Sequence, residues 1–174
     1  MLIEMRYNGL RLIISGGQNG ADRGALEAAS KMNCATGGHA PFGFRTMDGN
    51  DPSLANFGLI ETPQTNYNTR TRLNVQNSDA TLIVASDFNS PGTVLTIAEC
   101  HKVNKKYFKV DANKWYSCED ECSDTVVEWI KLNSIEILNV AGNRDVRTSR
   151  KHHDISFNLI EKILQKTVYI PQVA

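Results

Sequence analysis

The sequence carries no excess charge of either sign, since 19 lysines and arginines stand against 19 aspartates and glutamates in 174 residues. That balance excludes the global positive field on which non-specific nucleic-acid binding relies and leaves only local basic sites to consider. No apolar run reaches membrane-spanning length and no signal peptide is recognisable, so neither a membrane nor a nucleic acid is expected as a partner. The four cysteines, Cys34, Cys100, Cys118 and Cys122, are scattered through an ordinary composition, which points to a reducing, cytoplasmic setting. Cys118 and Cys122 enclose Glu119-Asp120-Glu121 with no second pair at finger spacing, and they read as surface thiols at the start of an acidic helix. No His/Cys cluster has metal-ligand spacing, so no protein-held metal is expected. His152-His153 reads as a surface pair at a helix start.

The chain has the length of one ordinary domain, residues 1–174, able to bury about two-thirds of its unfolded surface. Apolar runs alternate with helical patterns, the signature of repeated βα units and an open, mostly parallel α/β sheet of about five strands with helices on both faces. Strands are expected near 11–15, 35–38, 80–86, 107–111 and 136–140, and helices near 21–32, 69–78, 93–104, 121–132 and 152–166. In the last helix Ile155, Leu159 and Ile163 stand at four-residue steps, with Ile160 and Leu164 in the same stripe, so that stripe is core. Val126, Trp129 and Ile130 read the same way. Residues 1–9 and 167–174 read as peripheral.

The stretch Leu12-Ile13-Ile14-Ser15-Gly16-Gly17-Gln18-Asn19-Gly20-Ala21-Asp22-Arg23 reads strand, tight turn, helix. Three glycines in five residues let a ligand approach the backbone, and the following helix aims unpaired N–H groups at the same point, which suits a phosphate. Close strand–helix packing is the alternative use of such glycines. Arg23 stands in the first helical turn, against the macrodipole, and a bound anion would account for it. A dinucleotide fingerprint is incomplete, because Ser15 replaces the first glycine and the second strand ends in Thr36-Gly37-Gly38-His39-Ala40 without the ribose-binding acid.

The connection from Ala40 to Asn68 is long for such a domain and leaves the second strand at the edge where open sheets bind ligands. A lid or ligand-contacting role and an inert excursion are both consistent with its length. A second glycine turn, Ser90-Pro91-Gly92-Thr93-Val94-Leu95-Thr96, opens another helix, with Thr93 either a ligand donor or the N-cap. A third junction, Ile137 to Arg144, again places glycine and arginine after an apolar run. Arg23, Arg45 and Arg144 thus form a set of candidate anion ligands, while Arg147, Arg150 and Lys151 read as an exposed run.

Together these residues resemble the molybdenum carrier protein family, within the wider Rossmann-like group that includes the lysine-decarboxylase-like (LOG) nucleotide-binding proteins. The resemblance runs through Ser15-Gly16-Gly17-Gln18 to Arg23, Gly37-Gly38, Pro41, Gly43, Arg45, Asp48-Gly49, Glu61-Thr62 and Tyr67. It continues through Arg70-Thr71, Asn74-Val75, Ser78-Asp79, Gly92-Thr93, Leu95-Thr96 and Leu138-Asn139-Val140-Ala141-Gly142 with Arg144. Pro91, Leu73 and Asn143 depart from it, standing where the family often has glycine, tryptophan and proline.

The resemblance implies a homo-oligomer with a pocket for a small phosphate-bearing ligand, such as the molybdenum cofactor carried as cargo, or a nucleotide. The candidate ligand-binding residues are Ser15, Gly16, Gly17, Gln18, Gly20, Asp22, Arg23, Arg45, Arg70, Gly92, Thr93, Thr96, Gly142 and Arg144. Three functions follow as expectations: a carrier that binds without turnover, a sensor or sequestering module for a signalling nucleotide, and a LOG-like phosphoribohydrolase of nucleoside monophosphates. Against the last, Thr96 stands where those hydrolases place a glutamate, and a threonine cannot serve as the carboxylate. Glu99 and Asp22 are the candidate replacements.

Overall fold

All six residues of the run Ala80–Ala85 are buried, as expected of a strand covered on both faces. The computed structural model describes residues 9–167, so nearly all of the two terminal segments read as peripheral lies outside the described residues. In chain order the elements are β1 (Leu12–Ser15), α1 (Ala21–Lys31), β2 (Ala35–Ala40), β3 (Arg45–Thr46), β4 (Gly49–Asn50), β5 (Leu59–Glu61) and α2 (Tyr67–Gln76). There follow β6 (Ala80–Ala85), α3 (Pro91–Lys102), β7 (Lys106–Asp111), α4 (Trp115–Leu132), β8 (Ile137–Gly142) and α5 (Lys151–Thr167). Six strands form one parallel sheet in the order β5-β2-β1-β8-β6-β7. The expected five strands are all present, and β5, inside the long 40–68 connection, is the sixth. That connection also holds the antiparallel β3–β4 hairpin and two 3₁₀ turns.

Helices α1, α4 and α5 pack together on one face, and α2 and α3 on the other. Small residues let α1 and α5 approach closely. A methyl group at Gly24 would lie 2.2 Å from the carbonyl oxygen of His153, while Ala21, Ala25, Ala28 and Ala29 are fully buried beside it. The stripe Ile155, Leu159, Ile160, Ile163 and Leu164 is wholly buried against the sheet, and Val126 and Ile130 of α4 join the same core. Helix α4 starts at Trp115, six residues before the sequence expectation, and bends at Cys118, where φ is −149°. Cys118 and Cys122 are therefore half-buried within the helix rather than surface thiols at its start, and Cys122 packs on the core. Among the described residues no helix is long and apolar enough to cross a membrane.

A polar network fastens α1 to α5 and to the long connection. Arg23 Nε donates to Glu27 at 2.9 Å and its Nη1 to Asp51 at 2.7 Å, with the guanidinium 5.0 Å above the Phe57 ring. Glu27 also meets Nε2 of His153 at 2.8 Å, and Nδ1 of His153 meets Asp154 at 2.8 Å. The hydrogen bond from His153, aided by Arg23, holds the Glu27 carboxyl down to about 2. The same contact raises His153 above its ordinary value of 6.5. The signs fix the pH window. The raised histidine stabilises fully below 6.5 and that contribution is lost as pH rises through its folded value, whereas the depressed Glu27 contributes above 4.5 and is lost as pH falls toward 2. Thermal melting followed from about pH 3 to pH 9 is expected to peak between these limits, and Glu27→Gln to lower the peak and flatten both slopes.

Candidate functional site

The chain steps outward from β1 to β2 on one side and from β6 to β7 on the other, with β8 between β1 and β6, so the carboxyl ends of these strands open a crevice between the two helical layers. A cavity of about 690 Å³ occupies it. Its walls come from the β1–α1 turn (Gln18, Asp22), the first turns of α2 (Tyr67, Asn68, Arg70, Thr71) and α3 (Pro91, Gly92, Leu95, Thr96), the end of β8 (Ala141, Gly142, Asn143, Arg144), and Asp87, Ser90 and His152.

The floor is an ion pair. Nη1 of Arg70, on α2, reaches Oδ2 of Asp22, on α1, at 3.3 Å, with the side chains 14% and 4% exposed. Gly16 makes this possible, because a methyl group there would stand 1.8 Å from the Arg70 guanidinium. Burial pushes the Asp22 carboxyl above its ordinary range, opposed by Arg70 and by the Gln18 amide, which donates to it at 3.2 Å. Arg70 also lies 5.7 Å from the Tyr67 ring centroid, and Arg45 flanks the same ring at 6.0 Å.

The other glycines of the first turn are likewise filled by protein. Gly17, at φ +74°, accommodates Leu54 and Leu59, and Gly20, at φ +100°, lies against the backbone of Asn143 to Asp145. Ser15 is buried with its hydroxyl on the Val140 carbonyl at 2.7 Å. Of the residues expected from this turn, Gln18 and Asp22 reach the cavity, and Ser15, Gly16, Gly17 and Gly20 do not line it. The close-packing alternative describes the glycines.

Arg23 is not brought to the cavity either. Asp51 and Glu27 supply the negative charge that its place in the first helical turn called for, and it faces a separate hollow of about 230 Å³ together with Arg147 and Arg150. Arg45 touches the site only through Tyr67. Arg144 does line it, exposed, with its guanidinium on the thioether of Met47 and no carboxylate partner among the described residues. Glu99 does not line the cavity, and one of its carboxylate oxygens is buried without a partner.

At the second turn the N-cap of α3 is Ser90, not Thr93, and Pro91 takes the first helical position, where its missing N–H costs nothing. Among the described residues the amides of Gly92 and Thr93 have no acceptor, and a methyl group at Gly92 would meet nothing within 4 Å. This is the one glycine of the two turns that presents open backbone to the cavity. Thr96 lines the cavity, but its hydroxyl donates to the Gly92 carbonyl at 2.9 Å.

Sequence reasoning missed the residue that holds this corner. The Asn143 side chain accepts from the amides of Ser86 and Asp87 at 2.9 and 2.8 Å and donates to Asp87 O, Ser90 Oγ and Thr93 Oγ1. A proline, noted as frequent at this position, could make none of these bonds. His152 and His153 are also corrected, since they are 9% and 7% exposed rather than a surface pair. Their amides donate to Asp145, which caps α5. The signal for both was the acid a few residues ahead of a helix start. Among the described residues no group of histidine, cysteine, aspartate or glutamate could hold a metal.

Removing one partner of the buried pair leaves the other uncompensated, so Arg70→Met is expected to cost about 3 kcal/mol in chemical denaturation. Adding Asp22→Asn should recover part of that loss, and strict additivity of the two changes would contradict the pairing.

No curated protein matches this chain. The model of the circularly permutated YpsA SLOG family matches residues 13–164. A crystal structure from Syntrophus aciditrophicus SB, of a protein named as a molybdenum carrier, superposes with a TM-score of 0.81 at 32% identity, covering 90% of this chain and 96% of that one. With the six-stranded parallel sheet and its crevice in place, the chain belongs to the circularly permutated YpsA branch of the SLOG family.

Proposed function

We propose that the cavity binds a small phosphate-bearing ligand of the molybdopterin or nucleotide class and holds it without cleaving its phosphate ester or glycosidic bond, as a molybdenum cofactor carrier would. The observation that carries this reading is the first turn of α3, where Gly92 offers an amide without an acceptor on an open cavity wall, followed by the buried Thr93, whose amide also has no acceptor among the described residues. A helix N-terminus of this kind attracts an anion through both its free N–H groups and its dipole. Arg144, the cavity cation with no carboxylate partner among the described residues, supplies the opposite charge from β8. Tyr67 and Leu95 give the apolar surface that a planar pterin or base needs. The relative named as a molybdenum carrier supports the choice of cargo. Association into a homo-oligomer is part of the same proposal.

Against hydrolysis, the hydroxyl of Thr96 is occupied and Glu99 lies outside the cavity lining. One observation favours a nucleotide N-glycosidase as the second reading: Asp22 is a cavity acid whose burial raises its pKa. Its ion pair with Arg70 holds it on the floor, which suits binding better.

Mass spectrometry of the small molecule released on denaturing the freshly purified protein should find a pterin phosphate or a nucleotide. Titration calorimetry with that compound should show Arg144→Ala weakening binding about 10- to 100-fold. Arg23→Ala should leave affinity within about twofold while lowering the melting temperature. The opposite pattern would return the anion to the first turn. Free base accumulating beside ribose phosphate would establish the glycosidase instead.

A further inference from the structure

The charges of the cavity floor are balanced, yet most of its donors are unspent. A guanidinium carries N–H donors on all three nitrogens, and Arg70 uses only Nη1, in its pair with Asp22 at 3.3 Å. Its Nε is buried without a partner, and Nη2, which is not buried, meets no acceptor among the described residues. Gln18 stands in the same position. Its Oε1 accepts the amides of Asn19 and Met47 at 3.1 and 3.0 Å, which fixes the oxygen end of the side chain. Nε2 is thereby left as a donor, again unburied and without an acceptor among the described residues. Arg70 and Gln18 both line the cavity together with Tyr67, whose ring centroid lies 5.7 Å from the guanidinium.

Unmet donors in a recess shielded from water are costly, so this floor calls for lone pairs. An anion is the poorer occupant, because the Asp22 carboxylate already balances Arg70 and repels a second negative charge, whereas Arg144 has no carboxylate partner among the described residues. A neutral carbonyl oxygen is the better one. We infer that the floor reads the ring carbonyl of an oxo-heterocycle, an oxopurine or a pterin, and rejects the ring that carries an amino group in its place. The inference rests on the ligand class proposed above and narrows it. The carbonyl accepts from Arg70 Nη2 and Gln18 Nε2 while the ring lies against Tyr67 and Leu95. An amino group there sets donor against donor and leaves all three groups unpaired. Both floor donors belong to side chains, so the contact makes no demand on the glycine amides of the first turn.

Titration calorimetry on the full-length protein with inosine monophosphate and adenosine monophosphate tests the selection, since these nucleotides share ribose and phosphate and differ in the oxo or amino group of the purine. The oxo nucleotide is expected to bind about 10- to 100-fold tighter. Pterin and its diamino analogue, a matched pair without phosphate, repeat the comparison, and the pair with the larger oxo preference tells purine from pterin. The Arg70 Nε–H resonance is expected to move with the oxo member of the preferred pair and to stay nearly still with the amino member. In the double variant Arg70→Met, Asp22→Asn the oxo preference should fall below about threefold, with adenosine monophosphate affinity kept within about threefold. Should that variant unfold, the resonance in the parent decides. Equal binding within both pairs, an amino preference, or no binding of any of the four compounds overturns the inference. Ribose phosphate separates the two readings: its binding without any oxo preference leaves the phosphate seat standing alone, and an oxo preference between the pterins without ribose phosphate binding leaves the floor standing alone.

Discussion

The buried contact between Arg70 and Asp22 is the interaction on which the site depends. Helices α1 and α2 belong to opposite faces of the sheet, and this pair joins them over the carboxyl end of β1. Its geometry dictates the local sequence. Gly16 must lack a side chain for the guanidinium to pass, and Tyr67 stacks against that guanidinium from the rim. Both charges are largely removed from water, so each is stable only in the presence of the other. The pair closes the floor of the cavity and leaves its anion-seeking groups on the other side, at α3 and β8.

That division gives the two glycine turns different tasks. In the first, a side chain at any of the three glycines would run into a protein group. In the second, Gly92 stands in open space, and Asn143 pins the turn so that its amides keep a fixed direction. Preorganised donors of this sort bind an anion without the cost of ordering a loop. The long 40–68 connection contributes support rather than a cover: its hairpin places the Met47 amide on Gln18 and the Asp48 carboxylate on Asn19, and its last strand extends the sheet.

Much of the fold was legible because α/β units write themselves in two periods. The stripe of α5 and the continuous apolar run of β6 left little choice of element or face. β5 was not legible, since three residues show no period, and it is held by pairing with β2. The start of α4 was obscured because its first turn, bent at Cys118, carries no apolar stripe of its own. In the site, sequence spacing found the two turns, and Asp22, Gly92, Thr96 and Arg144 do line the cavity. Arg23 stands off this cavity, and the carboxylates that pair with it could not be read from spacing, since they come from one turn further on and from a loop 28 residues away. Asn143 was invisible for the same reason, its partners lying far away along the chain, whereas the role of Asp145 was signalled by an acid a few residues ahead of a helix start.

The central claim is that the anion lies on α3 and β8 rather than on the glycines after β1. Amide chemical-shift mapping by NMR during titration with a nucleoside monophosphate tests it most directly. The account predicts the largest shifts at Gly92, Thr93 and Gly142, with Gly16, Gly17 and Gly20 nearly still. The largest shifts falling instead on Gly16 to Gly20, or around Arg23, Arg147 and Arg150, would contradict it.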